Sequence, residues 1–410
     1  MGNTIIETIS FRELCPNIKS TKYSTHALHS YPAQLIPHIP NYFLRELHSK
    51  YSECIVFDPF CGTGTVLVEA MHKGFDSIGV EINPIAALIS KVKTTAIDTC
   101  LLENGLKIIN VNYKKKAYNY KKPDFYQHIS YWFNETDIKN LMKLKESIGN
   151  LEEGDIKNFF LVMFSSIIKD VSKSDPRIYV PVMPNDGYQK KRAGVWENFY
   201  KKSQYGINKM KEYIDILPNN KSQSRIINKD IKRLDENIKS DIVITSPPYI
   251  SAQKYVRSTR LESYWLDYTQ DFQLNINKKT IGTERVLKKD YIDIHNTKLP
   301  KLNILIKKIF KKNKERAYIV SKYFNDMEEV IKKLYNFLNQ EGYLIMVIGN
   351  NTVTKYEVKT SDFIKNLMEL NGFVIEKIYK DEIISRGLMV KRNSTANIIN
   401  YEWIIKAKKG

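Results

Sequence analysis

Cysteine is scarce in this chain of 410 residues: Cys15, Cys54, Cys61 and Cys100 stand apart, with no short paired spacing. Such scatter excludes a disulfide framework and a cysteine-based zinc module, and fits free thiols in a reducing compartment. Long apolar runs are also missing, since no stretch approaches the ~18 continuous apolar residues that span a bilayer. Glu7, Arg12 and Glu13 stand where a secretory leader would need an apolar core, so a cytoplasmic protein without a membrane segment is expected. No internal repeat is visible, which removes the solenoid architectures. Acidic residues are the last shortage: 45 Asp and Glu against 64 Lys and Arg leave a net charge of +19. That excess favours a polyanionic partner through long-range attraction and counterion release, although a Lys-rich composition can also be a genome-wide bias. What is present describes a globular protein, with 42% hydrophobic and 27% charged residues. The length suffices for a catalytic domain with a second module.

Short apolar runs punctuated by turns organise the chain. Cys54-Ile55-Val56-Phe57 reads as a buried strand, followed by a Gly-containing turn and a helix from Thr65 to Lys73 that Gly74 can end. Ser77-Ile78-Gly79-Val80 is the next strand, ending at Glu81. This strand–turn–helix–strand unit is of the doubly wound α/β type. Further strands are expected at Arg225–Ile227, Asp241–Thr245 and Tyr343–Ile348, with a closing antiparallel pair from Phe373–Ile378 and Ile398–Ile405. Between about 104 and 223 the apolar spacing turns helical, notably over 135–149, 156–169 and 196–217, which predicts a mostly helical insertion. Its opening stretch, 105–122, has six Lys and no acid. A polar stretch near 270–300 lacks clear periodicity. The expected organisation is thus 1–103 for cofactor binding, 104–223 for the insertion and 224–410 for catalysis.

Two motifs carry the chemistry. In Asp58-Pro59-Phe60-Cys61-Gly62-Thr63-Gly64-Thr65, Gly62 and Gly64 let the backbone turn sharply and approach a ligand, while the helix start offers free N–H groups. No Lys-Ser/Thr pair follows, so a phosphate-binding P-loop is excluded. Glu81, at the tip of the next strand, can accept both hydroxyls of a ribose, and Asp58 can meet an ammonium group. A plain tight turn is the alternative for the glycines alone. The second motif is Ser246-Pro247-Pro248-Tyr249, directly after an expected strand. An exocyclic amine on a base is a poor nucleophile because its lone pair is delocalised into the ring. The Ser246 hydroxyl and the Pro247 carbonyl, fixed by two prolines, can hold the amine hydrogens and aim the lone pair, and Tyr249 can stack on the base. The competing reading is a strand-ending turn punctuated by prolines.

These motifs resemble those of the amino-methylating DNA methyltransferases, whose catalytic tetrapeptide is Ser/Asn/Asp-Pro-Pro-aromatic. The run His29-Ser30-Tyr31-Pro32-Ala33-Gln34 resembles that family's further cofactor motif, with Gln34 where Lys is more frequent, so no charge contact is assigned to it. The segment Tyr255 to Trp265 is also similar, and the resemblance spans roughly 24–100 and 224–407. It implies a Rossmann-like methyltransferase sheet and S-adenosylmethionine as cofactor. It also implies a cofactor site around Tyr31, Pro32, Asp58, Phe60, Gly62, Gly64, Thr65, Glu81, Ile82 and Asp230, with catalysis at Ser246, Pro247, Pro248 and Tyr249. Cytosine-N4 is the target implied by the Ser form. Adenine-N6 is the alternative, followed by guanine-N2 in RNA and by a non-catalytic DNA-binding protein.

Duplex DNA is the implied substrate, with a cognate restriction endonuclease as a possible partner. A segment between the two motifs often reads the target in this family, which makes 104–223 the candidate reader. There Lys190, Lys191, Arg192, Lys201 and Lys202 are interleaved with aromatic residues, a pattern suited to phosphates and bases. An ordinary solvated helix with its aromatics in the core is the competing reading. Residues 301–316 read first as an amphipathic core helix and second as a DNA-contacting face. His26 and His29 lack further nearby ligands and are expected to be structural, with no metal. Cys61 is a turn residue, since carbon-5 methylation would need a thiolate in the catalytic motif.

Overall fold

The structure is a computed structural model and describes residues 6–32, 34–51, 53–115, 129–186, 193–219, 222–250, 255–268, 270–384 and 399–410. Ten strands are described: β1 (Ile6–Ile9), β2 (Ile55–Asp58), β3 (Asp76–Val80), β4 (Ser224–Ile227), β5 (Ser240–Thr245), β6 (Leu338–Gly349), β7 (Asn351–Val353), β8 (Tyr356–Val358), β9 (Phe373–Glu382) and β10 (Tyr401–Lys409). Eight of them form one sheet in the order β1-β9-β10-β6-β5-β2-β3-β4, and β7 with β8 forms a separate hairpin. β10 runs antiparallel to both β6 and β9, and the other pairings of the large sheet are parallel.

The chain winds outward in two directions from the centre. From β2 it proceeds to β3 and β4 on one side; from β5 it proceeds to β6 on the other. The order therefore reverses between β2 and β5, where Val56 faces Ile242 and Phe57 faces Val243 in register. At such a reversal the loops leaving two neighbouring strands diverge, and a crevice opens beyond their carboxyl ends. The turn at Asp58–Thr65 leaves one lip of that crevice and Ser246–Tyr249 leaves the other.

The middles of the central strands, such as Val56-Phe57, Ile242–Ile244 and Leu344–Ile348, are apolar because helices cover both faces. Alternation along β6 sends Leu344, Met346 and Ile348 into one core with Phe57 and Val243, and Ile345 and Val347 into the opposite core with Val56 and Ile244. The helix Thr65–His72 starts at Gly64 in the left-handed conformation (φ 81°) and is closed by Gly74 (φ 74°). Between β3 and β4 lie the long helices Thr99–Lys114, Glu135–Gly149, Asp155–Val171 and Val195–Ile216. Their apolar faces merge into one core with Ile85, Ile89 and Val92 of the helix Pro84–Thr94 and with Leu261 and Trp265. The helical stretch thus packs on the helices Thr65–His72 and Pro84–Thr94 in a third core that contains no strand residue.

Several elements have no clear sequence signal. β1 adds a parallel edge strand beside β9. The polar stretch near 270–300 contains a helix, Gln270–Lys279, and a 3-10 turn, Lys288–Tyr291. Among the described residues no helix is long and apolar enough to cross a membrane.

Candidate active site

One crevice at the β2/β5 edge is lined by residues from both motifs. Tyr31, Asp58, Phe60, Gly62, Thr65, Glu81, Ile82, Asp230, Ser246 and Pro248 all face it. Pro32, Gly64, Pro247 and Tyr249 belong to the same turns but do not line it. Lys190, Lys191 and Arg192 lie outside the described residues.

The glycine turn has its shape for identifiable reasons. A Cβ on Gly64 would lie 2.4 Å from the Ser90 hydroxyl oxygen, and its φ of 81° is a conformation that side-chain-bearing residues rarely adopt. Gly62 is also left-handed (φ 51°), but here a Cβ would meet open space. The backbone at Gly62 therefore faces the crevice without obstruction.

Two carboxylates fix the strand tips. Glu81 Oε2 accepts the Gly62 N–H (3.0 Å) and Oε1 accepts the Asn83 N–H (2.7 Å). Asp58 Oδ1 accepts the Phe60 N–H (3.0 Å) and the Thr245 hydroxyl (2.6 Å). Burial pushes each carboxyl up to about 7, against the opposing pull of these hydrogen bonds. Each carboxylate has lone pairs left over, which suits donors on a ligand. Asp230 caps the 3-10 turn Ile231–Arg233, accepting the Lys232 N–H at 3.0 Å, and still faces the crevice.

Other contacts had no sequence signal. The Asn83 side chain accepts the Ile85 N–H (3.1 Å), caps the helix that opens with Pro84, and donates to the Tyr31 hydroxyl (3.1 Å). The Asn-Pro pair marks that cap, but its link to Tyr31 is purely tertiary. Gln34 donates to the Thr63 hydroxyl (2.7 Å), and the Lys93 Nζ lies 3.4 Å from the same oxygen. Lys93 is 1% exposed and forms no ion pair among the described residues, and burial lowers its amine to about 7. Thr280 and Ile281, from the stretch without periodicity, also line the crevice.

Ser246 follows β5 at the crevice floor, and Pro247 behind it is buried. The Tyr249 ring is seated against Gly349 at the end of β6, where an added Cβ would come within 2.6 Å of the ring. Its hydroxyl donates to Glu402 Oε1 (3.3 Å), a carboxyl that burial raises to about 7. Lys201 is exposed and pairs with Glu197 at 2.7 Å on its own helix, and Lys202 is partly buried. The interleaved aromatics divide: Phe199 is fully buried, Trp196 stacks on Tyr113 at 4.9 Å, and Tyr200 and Tyr205 are exposed.

His26 and His29 separate. His26 Nε2 meets Glu69 Oε1 at 2.8 Å, Asn41 donates to Glu69 Oε2 at 2.8 Å, and Tyr23 also donates to this carboxylate. His26, Glu69 and His72 bring ligand-type atoms within 4.8 Å of one another. Glu69 and His72, remote in sequence, thus supply the neighbouring ligand-type groups that the sequence did not show beside His26, and the same contacts tie Tyr23 and His26 to the helix after the glycine turn. Among the described residues His29 bonds the Ser30 carbonyl alone, through Nδ1 (3.0 Å).

The family described as DNA methylase, of the N6/N4 type, matches residues 14–92. The type II methyltransferase M.MvaI of Kocuria varians is 30% identical over 93% of this chain and 88% of its own length. The type II methyltransferase M.MjaII of Methanocaldococcus jannaschii is 38% identical over 86 residues, 21% of this chain and 16% of that protein. A solved S-adenosylmethionine-dependent methyltransferase from Methanosarcina mazei is 10% identical over 89% of this chain and 96% of its own, with a TM-score of 0.31, too slight a likeness to argue from. With a relative of such identity along nearly its whole length, the chain belongs to the amino-methylating DNA methyltransferases, enzymes that use S-adenosylmethionine.

Proposed function

We propose that this enzyme methylates the exocyclic N4 of cytosine within a short sequence of duplex DNA, as the modifying member of a restriction-modification pair. The observation that carries the reading is that Ser246 and Pro248 line the same crevice as the glycine turn, Asp58 and Glu81. S-adenosylmethionine, when bound, would supply an electrophilic methyl group, whose bond to sulfur breaks with its electron pair returning to sulfur, so that S-adenosylhomocysteine is the leaving product. In this proposal Glu81 accepts the ribose hydroxyls, Asp58 receives the ammonium, and Asp230 meets the adenine ring. Phe60, Ile82 and Tyr31 enclose the cofactor, Pro32 follows Tyr31 outside the crevice lining, and Gly62, Gly64 and Thr65 form the turn around it.

The target base leaves the stack, at a cost of a few kcal/mol, and settles against Tyr249. The Ser246 hydroxyl and the Pro247 carbonyl accept the two amine hydrogens, which rotates the nitrogen lone pair out of conjugation and towards the methyl. As the N–C bond forms, positive charge grows on nitrogen, and these two acceptors stabilise it. The amine then loses one proton to solvent. Orientation of the two reactants accounts for most of the acceleration. Lys190, Lys191, Arg192, Lys201 and Lys202 are proposed phosphate contacts from the insertion.

Nucleoside mass spectrometry of DNA methylated by the purified enzyme tests the reading. N4-methylcytosine is the expected product, and Ser246→Ala should lower transfer roughly ten- to a thousandfold with cofactor affinity retained. N6-methyladenine as the sole product would replace the target base. 5-Methylcytosine, or full activity of the variant, would overturn the mechanism.

A further inference from the structure

The segment 285–314, between the catalytic turn and β6, contains ten Lys or Arg against two acids, Asp290 and Asp293. Arg285, Lys288, Lys289, Lys301, Lys307 and Lys308 are all exposed. Among the described residues, the segment's ion pairing is confined to Lys298–Glu328 (2.5 Å), with Glu284–Arg316 (2.6 Å) clamping its base. Three of the insertion's four long helices are close to balanced by comparison, although its opening stretch 105–122 has six Lys and no acid. Glu135–Gly149 has three basic and three acidic residues, Asp155–Val171 two and two, and Val195–Ile216 four and three.

Position matters as much as charge. Thr280 and Ile281 line the crevice, and Gly282 (φ 74°) lies against the catalytic turn, where an added Cβ would come within 2.9 Å of the Tyr249 carbonyl oxygen. The basic segment therefore departs from the rim of the site. It returns through the helix Lys314–Phe337, which leads into β6, a parallel neighbour of β5. A helix that feeds a parallel strand begins at the edge where its neighbour strands end, which is the edge that holds Ser246. Leu287 (54%), Ile292 (68%) and Ile304 (58%) are exposed on the same segment, available to sugars and base edges beside the phosphate contacts.

We infer that 285–314 is a DNA-docking wall, whose cations grip duplex phosphates next to the crevice into which the base is turned. The inference rests on the enzyme's being a DNA methyltransferase and deepens it by locating the surface that holds the substrate. The test is equilibrium binding of the full chain to a random-sequence DNA duplex over a range of salt, with and without the triple change Arg285→Ala, Lys288→Ala and Lys289→Ala. The variant's salt slope should fall by about 2–3, at roughly 0.9 for each phosphate that is no longer neutralised, with S-adenosylmethionine affinity unchanged. Lys288→Arg with Lys289→Arg should keep the wild-type slope. A triple variant with wild-type DNA affinity and slope would overturn the wall, even if the product is N4-methylcytosine. Because binding is read without turnover, an unexpected product base would count against the proposed target and leave the wall standing.

Discussion

The Thr245 hydroxyl donates to Asp58 Oδ1 across 2.6 Å, joining the last residue of β5 to the last residue of β2. One bond thereby couples the strand that delivers the Ser246–Tyr249 turn to the strand that delivers the glycine turn. Both partners are buried, so the bond is shielded from competing water.

Replacing Thr245 by Val removes that donor while keeping the side chain's volume. Asp58 already titrates near 7, and the Thr245 bond is one of the contacts that favours its ionised form. A hydrogen bond to a charged group of about 1.5 kcal/mol corresponds to a rise of roughly one pH unit in the carboxyl's midpoint. The acid limb of the methylation rate should therefore move to higher pH by about that amount. Steady-state rates across pH 5.5–9 would check this, and an unmoved limb would show that Asp58 ionisation does not govern activity.

Glu81 makes a second pH prediction. Its carboxyl lies near 7 in the fold because of burial, above its ordinary value. A carboxyl raised by folding contributes stability below its unfolded midpoint, and that contribution is lost as pH rises through the folded one. In the proposed complex, ribose hydroxyls donating to Glu81 would favour the ionised form, so cofactor affinity should increase with pH through about 7, and binding should release protons there. Titration calorimetry in two buffers of different ionisation enthalpy measures that release. Glu81→Gln should reduce it and weaken binding by about 1.5–3 kcal/mol. Equal proton release in the two proteins would remove Glu81 from the linkage.

Lys93 predicts a stability effect of opposite sign. Burial lowers its amine to about 7, so the folded state holds fewer protons than the unfolded one between that value and the usual lysine range. Stability from this site is complete above the unfolded midpoint and is lost as pH falls towards 7, at up to about 1.4 kcal/mol per pH unit. Lys93→Met should flatten this dependence and raise the melting temperature at pH 7 more than at pH 9.5. A variant that melts lower than wild type at pH 7 would show that the amine has a compensating partner.

The sequence by itself determined the strands β2, β3, β4, β5 and β6 and the identity of both turns. Unbroken apolar runs such as Ile242–Ile244 can be satisfied only in a sheet covered on both faces, and Gly64 and Gly74 state their backbone conformations through what they lack. The left-handed start of the helix at Thr65 and the helical spacing at 135–149 are local properties, readable within a few residues. Tertiary structure alone decided how Asp58 meets Thr245, how Asn83 reaches Tyr31, and how Thr280 and Ile281 come to face Glu81. Those contacts join residues far apart in the chain through hydrogen bonds and crevice walls that impose no period on either partner. The buried amine of Lys93 is the clearest case, since a lysine in a helix reads as solvated until packing encloses it.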